Sequence, residues 1–289
     1  MRLALSTNFN NSRLSTGEEI VDEALSMGFD ALELGFRTTS EQLDGFKLRL
    51  DEMPVDSVHA YCPVPIGAPH GHPELFKLTA RDANERALAK LYLRKTFRCA
   101  ADLGAKVVVF HAGYVRLDTL FGNLFTKATK LRVKRGRRTY DLFRKGMSEL
   151  VPDLERLGLV IGLENLPRLE GFPDADEAER LMADFKGAPV KLWFDTGHAR
   201  VRASRKWSAG ETEVAMRLKD HICGMHLNDV KDVWDDHRQP GWGNVDFAAL
   251  KPLAEMDILR VFEPHEPVTC AELKESVGMI RRLWGDNGS

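Results

Sequence analysis

Gly104-Ala105-Lys106-Val107-Val108-Val109-Phe110-His111 is the stretch on which the fold is decided. Val107 to Phe110 form an unbroken apolar run, β-branched and then aromatic, as expected of a parallel strand buried on both faces. The run ends on His111, a polar group placed where the strand would emerge. Ahead of it, about Thr79 to Leu103 carries a helical pattern, and Gly104 supplies the glycine stop that helices favour. One unit therefore reads helix, glycine, buried strand, metal-capable side chain.

The unit recurs. Short apolar runs occupy Leu3–Thr7, Ala31–Gly35, Ser57–Tyr61, Val107–His111, Val160–Glu164, Lys191–Asp195, Ile222–His226 and Arg260–Glu263. A capped start at Ser15-Thr16-Gly17-Glu18-Glu19 leads a helix to Met27-Gly28. Further helical patterns cover about Tyr140–Leu157 (stopped by Gly158), Asp176–Phe185, Ala209–Lys219, Asp246–Glu255 and Ala271–Leu283. Such alternation predicts an α/β protein, a (β/α)8 TIM barrel, as one domain over residues 1–289 with no linker. A length of 289 residues suits one such barrel, for which about 250 is common.

Tyr114 to Arg138 breaks the rhythm, being too long for a simple βα loop. It carries Lys127, Lys130, Arg132, Lys134, Arg135, Arg137 and Arg138. It reads either as a solvated basic loop or extra helix, or as a lid or anion-binding edge at the active face. The formal net charge is −2, which gives no general attraction to nucleic acid or anionic membrane. No stretch approaches the ~20 apolar residues of a membrane span. Met1-Arg2-Leu3-Ala4-Leu5-Ser6 enters a strand pattern without the apolar core of a signal peptide, so a cytoplasmic protein is expected. Cys62, Cys99, Cys223 and Cys270 are scattered and form no C-x-x-C pair, which argues against a disulfide framework. Cys99 reads as a buried small hydrophobe, and Cys62 and Cys223 as neighbours of the mouth.

Metal-capable side chains stand at the ends of six runs: His59, His111, Glu164, Asp195 (with His198 three residues on), His226 and Glu263. Asp235-Asp236-His237 lies just beyond the seventh run. Any one of them alone reads as a hydrogen-bonded structural residue. As a set they differ, because strand C-termini converge on one mouth in a closed barrel. Several carboxylates buried together need cations or protons to neutralise them. The expected cofactor is a divalent metal: imidazole with carboxylate suits Zn, Mn, Fe(II) or Co, Mg is also compatible, and the identity is left open. Phe9, Trp193, Trp234 and Trp242 are candidate pocket walls, with packing favoured for Trp193. Glu33 is a candidate for a substrate hydroxyl or for supporting a neighbouring histidine. Arg168 is a candidate for a substrate phosphate or carboxylate, and His265 and Glu266 for contact with substrate or with the ligands. His70 and His72 read as solvated loop residues.

Leu163-Glu164-Asn165, Phe194-Asp195-Thr196-Gly197-His198 and Met225-His226-Leu227-Asn228-Asp229, taken together at strand ends, resemble the xylose isomerase-like TIM-barrel superfamily. The resemblance runs from the first strand to Glu263. That superfamily holds sugar isomerases, epimerases of the tagatose/psicose type, and endonuclease IV. The epimerase pattern implies one metal on Glu164, Asp195, His226 and Glu263, with the two glutamates as acid/base pair and His198 on a substrate oxygen. The endonuclease IV pattern implies a multi-zinc cluster with His59, His111, His198, Asp235 and His237 as further ligands. Asp235 to Asn244 resembles that enzyme's Asp-x-His stretch followed by Gly-x-Gly-Asn. Two departures favour the first pattern: Leu166-Pro167-Arg168 follows Asn165 where the nuclease has Thr-Ala-Gly, and Gly197 replaces a cysteine.

The resemblance therefore implies a metal-dependent sugar or sugar phosphate isomerase/epimerase acting on a small carbohydrate, with a keto-sugar lyase as a close variant. Nucleic acid is a partner only under the alternative, an abasic-site endonuclease. A binding protein with a vestigial metal site would not be expected to keep all these positions. A homo-oligomer is expected by analogy with the superfamily.

Overall fold

The computed structural model describes residues 1–68, 70–115, 125–231 and 237–285, with backbone alone for 125–131 and 133–135. Eight parallel strands close in chain order into one barrel: β1 Ala4–Ser6, β2 Ala31–Leu34, β3 Val55–His59, β4 Val107–Phe110, β5 Val160–Glu164, β6 Val190–Asp195, β7 Ile222–His226 and β8 Leu259–Phe262. β1 pairs with β8 to complete the ring. The predicted (β/α)8 TIM barrel is what the chain forms. No helix among the described residues is long and apolar enough to cross a membrane.

The helices are α1 Gly17–Ser26, α2 Ser40–Leu48, α3 Ala83–Asp102, α4 Phe125–Ser148, α5 Val151–Leu157, α6 Ala175–Asp184, α7 Thr196–Ser204, α8 Glu211–Leu218, α9 Lys251–Ala254 and α10 Cys270–Trp284. Local chemistry sets their ends. Thr16 with Glu19, Thr39 with Gln42, Asp174 with Glu177 and Thr269 with Glu272 form reciprocal caps in which side chain and backbone satisfy each other's orphan groups. Gly104 and Gly158 take positive φ (78° and 66°) where the chain leaves its helix for the next strand. Helices α2 and α7 were absent from the sequence reading. The cap at Thr39 and Gln42 was the legible sign of α2.

The basic segment is largely an extra helix, α4, rather than a solvated loop; 116–124 lie outside the described residues. Arg132 is buried and does not offer itself to an anion. Its guanidinium lies 2.6 Å from Asp174 and 2.7 Å from Glu177, and it donates to the carbonyls of Leu169 and Gly171, each at 2.8 Å. It ties α4 to the loop after β5. Arg137 and Arg138 are exposed.

Inside the barrel, alternate residues split by depth. Ala4, Ala31, Val107, Val109, Trp193 and Val261 pack together as an apolar floor. Trp193 is the bulk of it, and its neighbours are small for that reason. A Cβ on Gly224 would lie 2.1 Å from the Trp193 ring, and one on Gly162 would lie 3.2 Å from Trp193 Cβ. Trp193 is thus a packing residue, as expected from its strand neighbours. Gly224→Ala is expected to lower stability by about 1–3 kcal/mol through overpacking. Urea unfolding measures this, and a change below about 0.5 kcal/mol would refute the plug.

Candidate metal centre

Above that floor the inward row turns polar. Glu33 near the end of β2, His59 at the end of β3, Glu164 at the end of β5, Asp195 at the end of β6 and His226 at the end of β7 meet His111 and Glu263, which follow β4 and β8. Parallel register brings them level, with Asp195 beside His226 on adjacent strands. Glu33, Glu164, Asp195 and His226 are fully buried, and Glu263 is 2 % exposed. So many carboxylates in one dry volume are stable only against positive charge.

The histidines are oriented from behind. His59 Nδ1 donates to the Ala60 carbonyl at 3.0 Å, and His198 Nδ1 to the Asn165 carbonyl at 2.8 Å. A carbonyl only accepts, so Nδ1 carries a proton in each ring, and in His59 this leaves Nε2 turned toward the centre. His111 has Glu74 behind Nδ1 at 3.4 Å, and Glu74 also receives the Tyr114 hydroxyl. His226 is reversed: Nε2 faces Glu33 at 3.1 Å, and Ser57 holds Glu33 at 2.9 Å. Histidine with a carbonyl or carboxylate on its rear nitrogen is the usual arrangement of a metal ligand.

The front atoms converge as two sets. Glu164, Asp195, His226 and Glu263 each bring one ligand atom into a group lying within 4.8 Å of one another. His59, His111 and Glu164 form a second such group. Glu164 joins the two: Oε2 lies 3.1 Å from Nε2 of both His59 and His111, and Oε1 lies 3.4 Å from His226 Nδ1 and 3.2 Å from His198 Nδ1, the nitrogen that also meets the Asn165 carbonyl. His226 Nδ1 stands 3.2 Å from Glu263 and 3.6 Å from Asp195. Three oxygens and an imidazole, or two imidazoles and an oxygen, suit a borderline divalent cation.

The electrostatics agree. Burial pushes the Glu164 carboxyl upward, but the charges of His111 and His226 win and hold it well below the usual carboxylate range. Burial lowers His226, but Glu263, Glu33 and Glu164 raise it well above an ordinary histidine. His111, likewise opposed by burial, is raised to about 9, chiefly by Glu164. In the metal-free chain, protons on these imidazoles supply the positive charge the carboxylates require.

Among the remaining sequence candidates, His237 stands 3.6 Å from Glu263. Asp235 and Trp234 lie outside the described residues. Glu33 stands behind His226, 3.1 Å from its Nε2. Arg168 is exposed, its guanidinium 5.9 Å from the Tyr114 ring centre. Trp242 lies against Arg238 (4.1 Å) and Lys231 (5.5 Å), on a groove shared with α10 residues Glu272 and Met279. Phe9 is buried in the main apolar core. His265 stacks on His237 with ring centres 3.9 Å apart. Cys62 is buried, and burial pushes Cys223 up to about 12, so neither reads as a reactive thiolate.

Several orienting residues had no assigned role in the sequence reading. Asn8 donates to Glu263 at 3.0 Å, and Asn228 to Asp195 at 2.7 Å. Asn165 clamps the backbone of Asp195, receiving its N–H at 2.8 Å and donating to its carbonyl at 3.0 Å. Asn165 and Asn228 adjoin or nearly adjoin ligand candidates in the quoted motifs, which was a usable signal. Glu74 comes from an irregular loop and had none.

Fold and site together define a barrel protein with a buried carboxylate–imidazole centre that could hold a divalent metal at its C-terminal mouth. The chain belongs to the family described as xylose isomerase-like TIM barrel, which matches residues 21–281. An uncharacterized protein of Methanocaldococcus jannaschii is 26% identical over 190 residues, covering 64% of this chain and 59% of that protein. A second from the same organism is 23% identical over 177 residues, covering 60% and 59%. The chain thus spans about six-tenths of the length of the curated relatives it matches. Among solved structures, a D-tagatose 3-epimerase-like protein superimposes with TM-score 0.72 at 22% identity, covering 99% of both chains. The 3-keto-D-glucoside 4-epimerase of E. coli gives 0.72 at 16% identity, covering 98% and 99%. A Thermus thermophilus protein soaked with ZnCl2 gives 0.67 at 21% identity, covering 100% of both. At these identities the likeness is one of fold.

Proposed function

We propose that this protein is a divalent-metal-dependent isomerase or epimerase of sugars or sugar phosphates that moves a proton next to a carbonyl, with a keto-sugar lyase as a close variant. The observation that carries the reading is the pair of glutamates, Glu164 and Glu263, reaching one small group from β5 and from just beyond β8. Glu164, Asp195, His226 and Glu263 would hold Mn, Zn, Co or Mg. When bound, the metal supplies a Lewis acid that polarises the substrate carbonyl and hydroxyl. The chain supplies the rest. One glutamate takes the proton from the carbon beside the carbonyl, and the other returns one from the opposite side. Asn8 keeps Glu263 aimed, and His198 would contact a substrate oxygen. Arg168 at the rim is the candidate for a phosphate or carboxylate. A cytoplasmic location and a homo-oligomeric state belong to the same reading.

The test uses chelator-stripped protein reloaded with each metal, given ketoses, ketose phosphates and keto-glycosides in deuterated water. Metal-dependent deuterium uptake beside the carbonyl is expected. One observation favours a second reading: His59 and His111 make a further metal-capable group on Glu164, as an endonuclease IV-like multi-zinc phosphodiesterase would require. Absence of deuterium uptake across the panel, with cleavage of an abasic-site duplex, would decide for that reading.

A further inference from the structure

We infer that Asp229 is a positioning residue that presents His237 to the metal centre, an assignment that rests on the metal reading above. Asp229 follows β7 by three residues and is 1 % exposed. Its carboxylate is bound to main-chain N–H groups. Oδ1 accepts from Val230 at 2.8 Å and Val245 at 3.0 Å. Oδ2 accepts from Gly241 at 3.0 Å and Gly243 at 2.8 Å. A carboxylate offers about four acceptor positions and no donor, so it can satisfy all four groups at once; an amide cannot.

The four donors sit on both limbs of one excursion of the chain. Val230 opens it, and residues 241–245 close it. Two backbone bonds join Asp229 to Arg238, at 2.8 and 3.2 Å, and Asn244 donates to the Val230 carbonyl at 2.8 Å. The closing limb approaches so nearly that a Cβ on Gly243 would stand 2.4 Å from the Val230 carbonyl and 2.5 Å from Asp229 Oδ1. Gly241 holds φ at 91°, a conformation that L side chains resist.

His237 is the residue immediately before this bridge. Its Nδ1 lies 3.1 Å from the Glu263 main-chain carbonyl and 3.6 Å from the Glu263 carboxylate. Its own carbonyl accepts the His265 N–H at 3.0 Å, which places the stacked His265 ring on the same scaffold. Among the described residues the Asp229 carboxylate binds only the backbone of Val230 and of residues 241–245, so it acts on the centre through His237, which lies between those two stretches.

The experiment reads Co(II), whose visible spectrum reports its ligand set. Wild type, Asp229→Asn, Gly243→Ala, His237→Ala and the double variant Asp229→Asn/His237→Ala are stripped and titrated with Co(II), with circular dichroism confirming the fold. Asp229→Asn is expected to weaken Co(II) binding by about 10–100-fold, the usual loss when a residue supporting a ligand is removed. Its spectrum should change as His237→Ala changes it. The double variant should be no weaker than His237→Ala alone, since coupled residues are non-additive. Gly243→Ala keeps the carboxylate but forces the limbs apart, and should give the same spectral change if Asp229→Asn does not fold. A wild-type spectrum in both variants, additive losses, or a His237→Ala spectrum equal to wild type would each overturn the assignment while leaving the metal reading standing. A wild type that takes up no Co(II) would overturn both.

Discussion

Replacing Glu263 by glutamine is expected to reduce turnover by at least about 10²–10⁴-fold, the range a positioned acid or base contributes, while the barrel stays folded. Glutamine keeps the side chain's length and one oxygen, so Asn8 and His226 keep neighbours of similar shape. What is lost is the capacity to carry a proton. Glu164→Gln is expected to cost more, because its two oxygens serve both metal-capable groups, and an amide nitrogen facing those imidazoles neither binds a cation nor neutralises their charge. Glu263→Gln, which leaves Glu164, Asp195 and His226 in place, should therefore bind metal more weakly and stay inactive even at saturating metal, whereas Glu164→Gln should fail to load metal at all. Metal content per chain and the rate of deuterium uptake separate the two cases. Full activity in both variants would refute the acid/base assignment.

Loading the metal-free protein with a divalent cation at pH 7.5 is expected to release about one proton per ion and to raise the melting temperature. His226 sits well above its ordinary range, so it carries a proton at that pH, and a cation held by Glu164, Asp195, His226 and Glu263 must displace that one proton. The sign for the metal-free chain follows. A histidine raised on folding contributes stability that is fully present below its unfolded value near 6.5 and fades as pH rises through the folded value. The stripped protein should thus lose stability between about pH 7 and 9 from His111, while metal affinity climbs over the same interval. At about 100 times Kd a ligand adds about 2.7 kcal/mol, or roughly 5–10 °C for a domain near this size. Calorimetric titration in buffers of different ionisation enthalpy counts the protons. A count of zero at pH 7.5 would show that the imidazoles are neutral before the metal arrives.

The barrel was legible because buried parallel strands are apolar on both sides, as at Val107–Phe110, and because glycine marks helix ends at Gly104 and Gly158. The ligand candidates were legible for the complementary reason: Glu164, Asp195 and His226 interrupt apolar runs where a charge would be costly without a purpose. Helix α7 was missed because Asp195 does two jobs. It reads as a ligand candidate, yet it also caps α7 by accepting the His198 N–H at 2.7 Å. Glu74 was beyond reach, since its approach to His111 depends on the path of an irregular loop. Arg132 misled because a basic run looks solvated in sequence, while burial of one member depends on Asp174 and Glu177, more than 40 residues away.

The Trp193 floor also partitions the barrel for anyone altering it. Residues packed with the indole, such as Ala4, Ala31, Val107 and Val261, contribute no ligand atom to the centre above. Libraries that vary this lower storey should move the melting temperature and leave catalytic rate nearly constant, and libraries drawn from the upper storey should do the reverse. The two traits could then be evolved separately and recombined, with His226, whose ring centre lies 5.2 Å from that of Trp193 in a T-shaped contact, as the place where such independence should first break down.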